Sequence, residues 1–462
     1  MPRSLIAGIA VAITVFLFSA PSLAQSTSEQ PAAVEKAVES KSGVKQQQEA
    51  AELEKQSQEA YAAEKWVAYY VANMKLSKLR PYESEYMVNI VRACARLGRK
   101  STAYHYMLKM QQQGMSYDFS STEDTLDIRD TEAYGYINNL LIEAGNPAGD
   151  AAPVFDLPEQ ASDFQAIAWD GSRNRYLVGT QAEGALIAIS EEGEKELLLK
   201  ADEENGLWSI MGLSVDEERN RLWVSSSSTP RFSGYSASDK NHGALFELDL
   251  ETLEIVGRFN LPVDALTHEL GSVAVTSDGL VYVIDRAAPI IYKKSPDSDR
   301  LEAFFGSPEL IQLRDIAVTP DNSRVFVADA YKGILVIDPV VQRAGLLTGP
   351  ETLNLGGINA LEYQDGHLFI VQGGFEPQRI VRLQLDGAGA GVEGVIPMVI
   401  ALPEFDQPGP ATIRDEQLIF FANSAAVEED GLLVMESQLS AGAEAAAQDV
   451  NALHEAMKAQ MQ

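Results

Sequence analysis

"LRDIAVTPDNSRVFVADA", residues 313–330, alternates apolar and polar residues through Val318, turns at Pro-Asp-Asn, and resumes alternation up to Asp329. That pattern predicts two antiparallel strands joined by a tight turn. It recurs along the chain. Apolar strands lead into a turn aspartate at Asp170, Asp216, Asp278, Asp321, Asp365 and Asp415. A second strand follows each one ("RYLVGT", "RLWVSSSS", "LVYVID", "RVFVADA", "HLFIVQGG", "QLIFFANS"), and then a third. Aspartate in such a turn hydrogen-bonds its own backbone, so these six are turn residues and not catalytic candidates. Six sheets repeating every ~40–60 residues predict an all-β six-bladed propeller, because each small sheet needs neighbours to cover its faces.

The outer strands predict how the ring closes. "GRFNLP" and "MVIALP" end blades two and five, whereas "PVFDLP" (153–158) precedes blade one with no blade of its own. Blade six has three strands and stops near Gln438, so residues 153–158 are expected to supply its fourth and leave no open edge. The propeller is thus expected over 153–437.

Upstream, residues 51–145 switch to helical spacing. "EAYAAEKWVAYYVANMKLSKLRP" overlays "NIVRACARLGRKSTAYHYMLKMQQQG" at an offset of 34, with Glu64 over Gly98. That period predicts short tetratricopeptide-like helical repeats, too few to stand alone and therefore docked on the propeller. "GNPAGDAAP" (145–153) marks the boundary. The fold class is multidomain: a short α-helical repeat unit, then the propeller.

Residues 1–24 read as a signal peptide: a basic start, an apolar run, and cleavage after Ala24 in "PSLAQ". Residues 25–50, rich in Gln, Glu, Lys and Ser, read as a disordered linker or a fraying helix start. Residues 438–462 read as a helical tail. The expected location is the periplasm or the extracellular medium. A formal charge of −31 with 36 Lys+Arg speaks against a nucleic-acid partner, which needs a basic face. The single cysteine, Cys94, lies on an apolar helical face, reads as a core residue, and rules out an intramolecular disulfide.

The N-terminal ends of the first strands line one mouth of a propeller's channel. Around the ring the channel-facing positions are Gln165, Met211, Gly271, Arg314, Asn359 and Pro410, with Asp315 beside them and Trp208, His268 and Glu269 just before two strands. A catalytic metal needs three or more converging oxygen or nitrogen ligands, and an arginine repels it. His268 and Glu269 in "THELG" could form an acid/base pair or a loop hydrogen bond. The longest insertion, 225–243 in blade two, carries Arg231 and Tyr235. It either helps to hold a ligand or simply covers the channel.

The motif "LRDIAVTPDNSRVFVADA", the "AIAWDGSRNRYLVGT" start and the closing "LP" strands resemble the gluconolactonase and senescence-marker-protein superfamily of six-bladed propellers. The whole arrangement resembles an exported bacterial group within it that carries an N-terminal tetratricopeptide unit. The likeness spans residues 50–437. It implies lactonase chemistry on a divalent metal held by a Glu, Asn residues and an Asp. The aligned positions here are Gln165, Met211, Gly271 and Arg314, and none matches. The leading expectation is therefore a binding or scaffold protein without a cofactor, its helical groove taking a peptide or protein and its propeller mouth a small ligand or chain segment. The alternative is a lactonase-type hydrolase with other active-site residues, such as His268, Glu269 and Asp315 around a metal.

Overall fold

The computed structural model describes residues 42–160, 163–261, 266–307, 309–425 and 431–442. The expected signal peptide, most of the linker and nearly all of the tail lie outside these residues. Among the described residues, no helix is long and apolar enough to cross a membrane.

The N-terminal unit contains α1 (Ser42–Ala62), α2 (Trp66–Leu79), α3 (Ser84–Arg96) and α4 (Lys100–Gln112), then two short 3-10 turns and α5 (Glu132–Glu143). Helices α2 and α4 start at residues 66 and 100, 34 apart, and the turns before them pass through Glu64 (φ 53°) and Gly98 (φ 68°). Both residues occupy the left-handed conformation that ends a helix tightly, which glycine adopts without cost and glutamate does not. Helix α1 starts inside the stretch read as linker. Ala50 and Leu53 are buried against Leu76 and Tyr86, and that packing orders a segment whose composition alone is too polar to fold. Cys94 is buried in the main helical core.

The propeller comprises six four-stranded antiparallel sheets. Blade one is β2 (Phe164–Asp170), β3 (Arg175–Thr180), β4 (Ala185–Ser190) and β5 (Lys195–Lys200). Blade two is β6 (Ser209–Asp216), β7 (Arg221–Ser227), β8 (Gly243–Asp249) and β9 (Ile255–Asn260). Blade three is β10 (Leu270–Val275), β11 (Val281–Asp285), β12 (Ile290–Lys294) and β13 (Glu302–Gly306). Blade four is β14 (Leu313–Val318), β15 (Val325–Asp329), β16 (Gly333–Asp338) and β17 (Arg343–Leu346). Blade five is β18 (Ile358–Gln364), β19 (His367–Gln372), β20 (Arg379–Leu385) and β21 (Val392–Ile400). Blade six joins β22 (Ala411–Arg414), β23 (Gln417–Phe421) and β24 (Gly431–Gln438) to β1 (Ala152–Gln160), from the far end of the domain. Strand β1 pairs antiparallel with β24, setting Phe155 opposite Val434 and Leu157 opposite Leu432.

The core is divided into six wedges, each filled from two neighbouring blades. In the closing wedge, Phe155 and Leu157 pack with Phe421 and Val434 of blade six and with Ile167 and Tyr176 of blade one. The second strands, buried on both faces, explain the continuous apolar runs such as "VFVAD". Away from the mouth, the hairpin turns are stitched from blade to blade. Gly171 N–H donates to Glu217, the Arg219 guanidinium to Ser277 O, Ser277 to Pro320 O, and Arg324 to Ala388 O. Arg414 closes this circle on the Tyr176 hydroxyl.

The helical unit docks on the mouth-side loops of blades four and five. Phe375, in the β19–β20 turn, is only 2% exposed and belongs to the helical core beside Met107, Met110 and Met115. Arg379 lies 3.8 Å from the centre of the Phe375 ring and donates to Gln113 O (3.0 Å) and Gln372 Oε1 (2.7 Å). Burial lowers its pKa to about 9. Tyr82 packs over Gly333 and Gly356, where any Cβ would come within 2.8 Å of its side chain. Phe375→Ala should therefore cost ~3–5 kcal/mol and loosen the helices from the propeller. Urea denaturation and limited proteolysis between residues 112 and 150 would show this, and an unchanged midpoint would contradict the docking.

Candidate functional site

Five of the six innermost strands carry a register shift near their start: Phe164/Ala166, Ile210/Gly212, Leu270/Val273, Leu313/Asp315 and Ile358/Ala360. The residues inside these bulges are Gln165, Met211, Gly271 with Ser272, Arg314 and Asn359. A bulge leaves its extra residue unpaired and re-aims the side chains around it. The inner strands enclose a channel of about 460 Å³ lined by Gln165, Met211, Ser272, Arg286, Asp315, Asn359, Glu362, Pro410 and Thr412, among others.

Three ionisable groups dominate this channel. Asp315 bridges blades four and five: Oδ1 accepts from Ile316 N–H at 2.8 Å and Oδ2 from Leu361 N–H at 2.7 Å, and the Ser272 side chain donates as well. Enclosure outweighs these donors and pushes its carboxyl up to about 6. Glu362, one residue beyond the Leu361 donor, is pushed well above the usual range, first by burial and then by the Asp315 charge. Arg286 follows Asp285 at the end of β11. Burial lowers its pKa, against the attraction of Glu269 and Asp315, and its Nε is buried with no hydrogen-bond partner. All three residues are half-buried and line the channel.

Gly271 makes the Arg286 position possible. A Cβ there would sit 2.6 Å from Arg286 Nε and 3.0 Å from its Cγ. The missing side chain in blade three is thus replaced by a guanidinium reaching over from the next turn.

The sequence-derived candidates separate into three places. Gln165, Asp315 and Asn359 line the channel, and Asn359 Nδ2 also donates to Pro408 O at 2.9 Å. Arg314 is half-buried beside Asp315, and its charge helps to lower the pKa of Arg286. His268 and Glu269 belong to a loop staple. The buried His268 places Nδ1 2.6 Å from Asp285 Oδ2, while Asp285 Oδ1 accepts from Glu269, Ala287 and Ala288 N–H at 3.0, 3.1 and 3.0 Å. Asp329 does the same work one blade on, accepting from Ile311, Gln312, Tyr331 and Lys332 N–H. Trp208 and the insertion lie over blades one and two. The Trp208 ring stacks under the guanidinium of Arg258 from the outer strand β9, and Ser233 N–H ties the loop to Ala182 O. Arg231 is exposed and Tyr235 half-buried, and neither lines the channel.

Sequence reasoning missed Glu362 and Arg286. Glu362 is the polar residue of "ALEYQD", three positions past Asn359 and so off the face that period two extends from it; the bulge between Ile358 and Ala360 shifts the parity and brings it to the channel. Arg286 comes from a second-to-third-strand turn, and only Gly271 opposite it hints that something must fill the gap.

A divalent metal, which the lactonase resemblance implies, does not fit these residues. Among the described residues no three His, Cys, Asp or Glu side chains converge, and the positive guanidinium lies close enough to be stabilised by Asp315.

No protein-family model matches the chain, and no curated protein matches it. Solved structures similar in fold include a luciferin-regenerating enzyme (11% identity, TM-score 0.46, covering 64% of this chain and 97% of the other). The calcium-binding protein regucalcin of Agrobacterium tumefaciens is another (11%, TM-score 0.44, 64% and 95%). A third is a Thermus thermophilus protein bearing the name glucose dehydrogenase (14%, TM-score 0.44, 62% and 99%).

A carboxyl whose folded pKa lies above its unfolded value keeps a proton that the unfolded chain has released, so stability falls as pH rises through that window. For Asp315 the window runs from 3.8 to about 6, and for Glu362 it opens at 4.5 and extends upward. Glu362→Gln, which imitates the neutral acid, should leave stability nearly unchanged near pH 5 and raise it at pH 8. Urea midpoints of the two proteins across pH 4.5–8.5 measure this, and parallel curves would refute a neutral Glu362.

Proposed function

We propose that this chain is an exported binding protein: the propeller channel holds a small ligand, and the tetratricopeptide-like helical pairs, fixed beside the mouth, receive a peptide or protein segment. The observation that carries the reading is the channel's charge set. Two carboxyls and a guanidinium line the channel, and Asp315, held by Ile316 N–H, Leu361 N–H and Ser272, attracts the guanidinium. That arrangement recognises polar groups but lacks the three-ligand centre of metal-dependent hydrolysis. The apolar start with its "PSLAQ" cleavage region supports export to the periplasm or the medium.

Thermal-shift titration of the mature chain with Ca²⁺, Mg²⁺, Mn²⁺ and Zn²⁺, with EDTA as control, should give no saturable rise. A rise following RT ln(1+[L]/Kd) would overturn the reading. For the helical unit, Val67, 58% exposed on α2, is a suitable position for a photo-crosslinker. Partner adducts should form there and not from an equally exposed site such as Leu197 on β5 (60%). Equal labelling at both would remove the helical unit from the proposal.

One observation favours a hydrolase of the lactonase type instead: Asp315, near pKa 6, lies close enough to Glu362 to raise its pKa, as in an acid/base pair. Metal-independent turnover of lactones, abolished by Asp315→Asn and Glu362→Gln, would establish that alternative. The binding reading expects no turnover.

A further inference from the structure

We propose that the channel ligand is a small organic anion, bound through a carboxylate by the Arg286 guanidinium. This inference rests on the channel being a binding site. Arg286 Nε is buried without an acceptor, and a buried N–H left unsatisfied is costly enough that native structures rarely keep one. Glu269 and Asp315 both attract the guanidinium, yet neither hydrogen-bonds Nε, and Asp315 already spends its oxygens on Ile316 N–H, Leu361 N–H and the Ser272 side chain. They lend the guanidinium their charge without meeting that need. A planar guanidinium fits a carboxylate through paired, parallel N–H donors.

Glu362 lines the same channel, and burial, then the Asp315 charge, oppose its ionisation. A cationic ligand would face Arg286 and, beyond it, Arg314. A dianion would bring an additional charge into a walled channel that supplies one guanidinium, so a single carboxylate is the best match. The channel volume of about 460 Å³ admits a small molecule with accompanying water. Gly271 fits the same picture, because any side chain there would displace the guanidinium.

The test is calorimetric and thermal-shift titration of the full mature chain with acetate, lactate, succinate and glutarate, each against its amide, with sodium chloride controlling ionic strength. Acetate or lactate should bind saturably while its amide does not, and more tightly than succinate or glutarate. Arg286→Gln should weaken that binding by about tenfold or more, as expected on losing a charged hydrogen-bond pair worth ~1.5–3 kcal/mol. Gly271→Ala should weaken it comparably with the charge retained, since its methyl group would lie 2.6 Å from Nε. Each variant's urea midpoint separates lost binding from lost folding. Equal binding of acid and amide, full affinity in both variants, or no binding of any carboxylate would overturn the assignment. A response in the metal titration overturns the binding reading itself, whereas silence from both metals and carboxylates overturns only this ligand class.

Discussion

A ring of sheets is stable only if it has no first or last blade, and here that condition is met by one antiparallel pair, β1 with β24. Everything else in the propeller is local: hairpins within a blade and a wedge of side chains between each blade and the next. The closing pair brings together strands nearly three hundred residues apart in sequence, as the 155–434 register shows. Without it, blade six would expose an edge and the Phe155 wedge against Tyr176 would be hollow. Polar stitches on the far face repeat the logic, and Arg414 reaching Tyr176 closes that circle at the same junction.

Closure also sets the site. Six inner strands held in a ring must converge at their N-terminal ends, and the bulges there turn side chains out of the ladder and toward the axis. What lines the axis is then free to vary without disturbing the blades. In blade three that freedom has been used to remove a side chain at Gly271 and admit Arg286. In blade four, Asp315 is used to hold the neighbouring strand β18 by its Leu361 N–H.

Most of the architecture was legible in the chain because each blade announces itself locally: alternation, an aspartate turn, alternation again. The 34-residue offset between Glu64 and Gly98 was legible for a similar reason, since both positions need a left-handed turn residue. The site was only partly legible. Positions carried on the inner strands, such as Gln165 and Asn359, follow from strand period. Arg286 does not, because it arrives from another strand's turn, and Trp208 is drawn away by Arg258, a cation on an outer strand that no local pattern pairs with it. His268 was conspicuous in the sequence, yet its partner Asp285 belongs to a repeated loop staple that becomes visible only when it is set beside Asp329. The beginning of α1 was missed because its stability comes from Leu76 and Tyr86 and not from its own composition.

Phe375 carries a consequence for the order in which the molecule forms. The helices leave the ribosome first, but the ring that completes their core belongs to blade five and is made much later. Strand β1 waits longer still, for β24. The amino-terminal third of the protein therefore spends its synthesis with two unfilled positions, one among the methionines of the helical core and one along the edge of β1. Both are filled by segments far downstream in the chain, and non-local contacts of this kind are slow to form. Until then the nascent chain presents apolar surface and an unpaired strand, the features that chaperones bind.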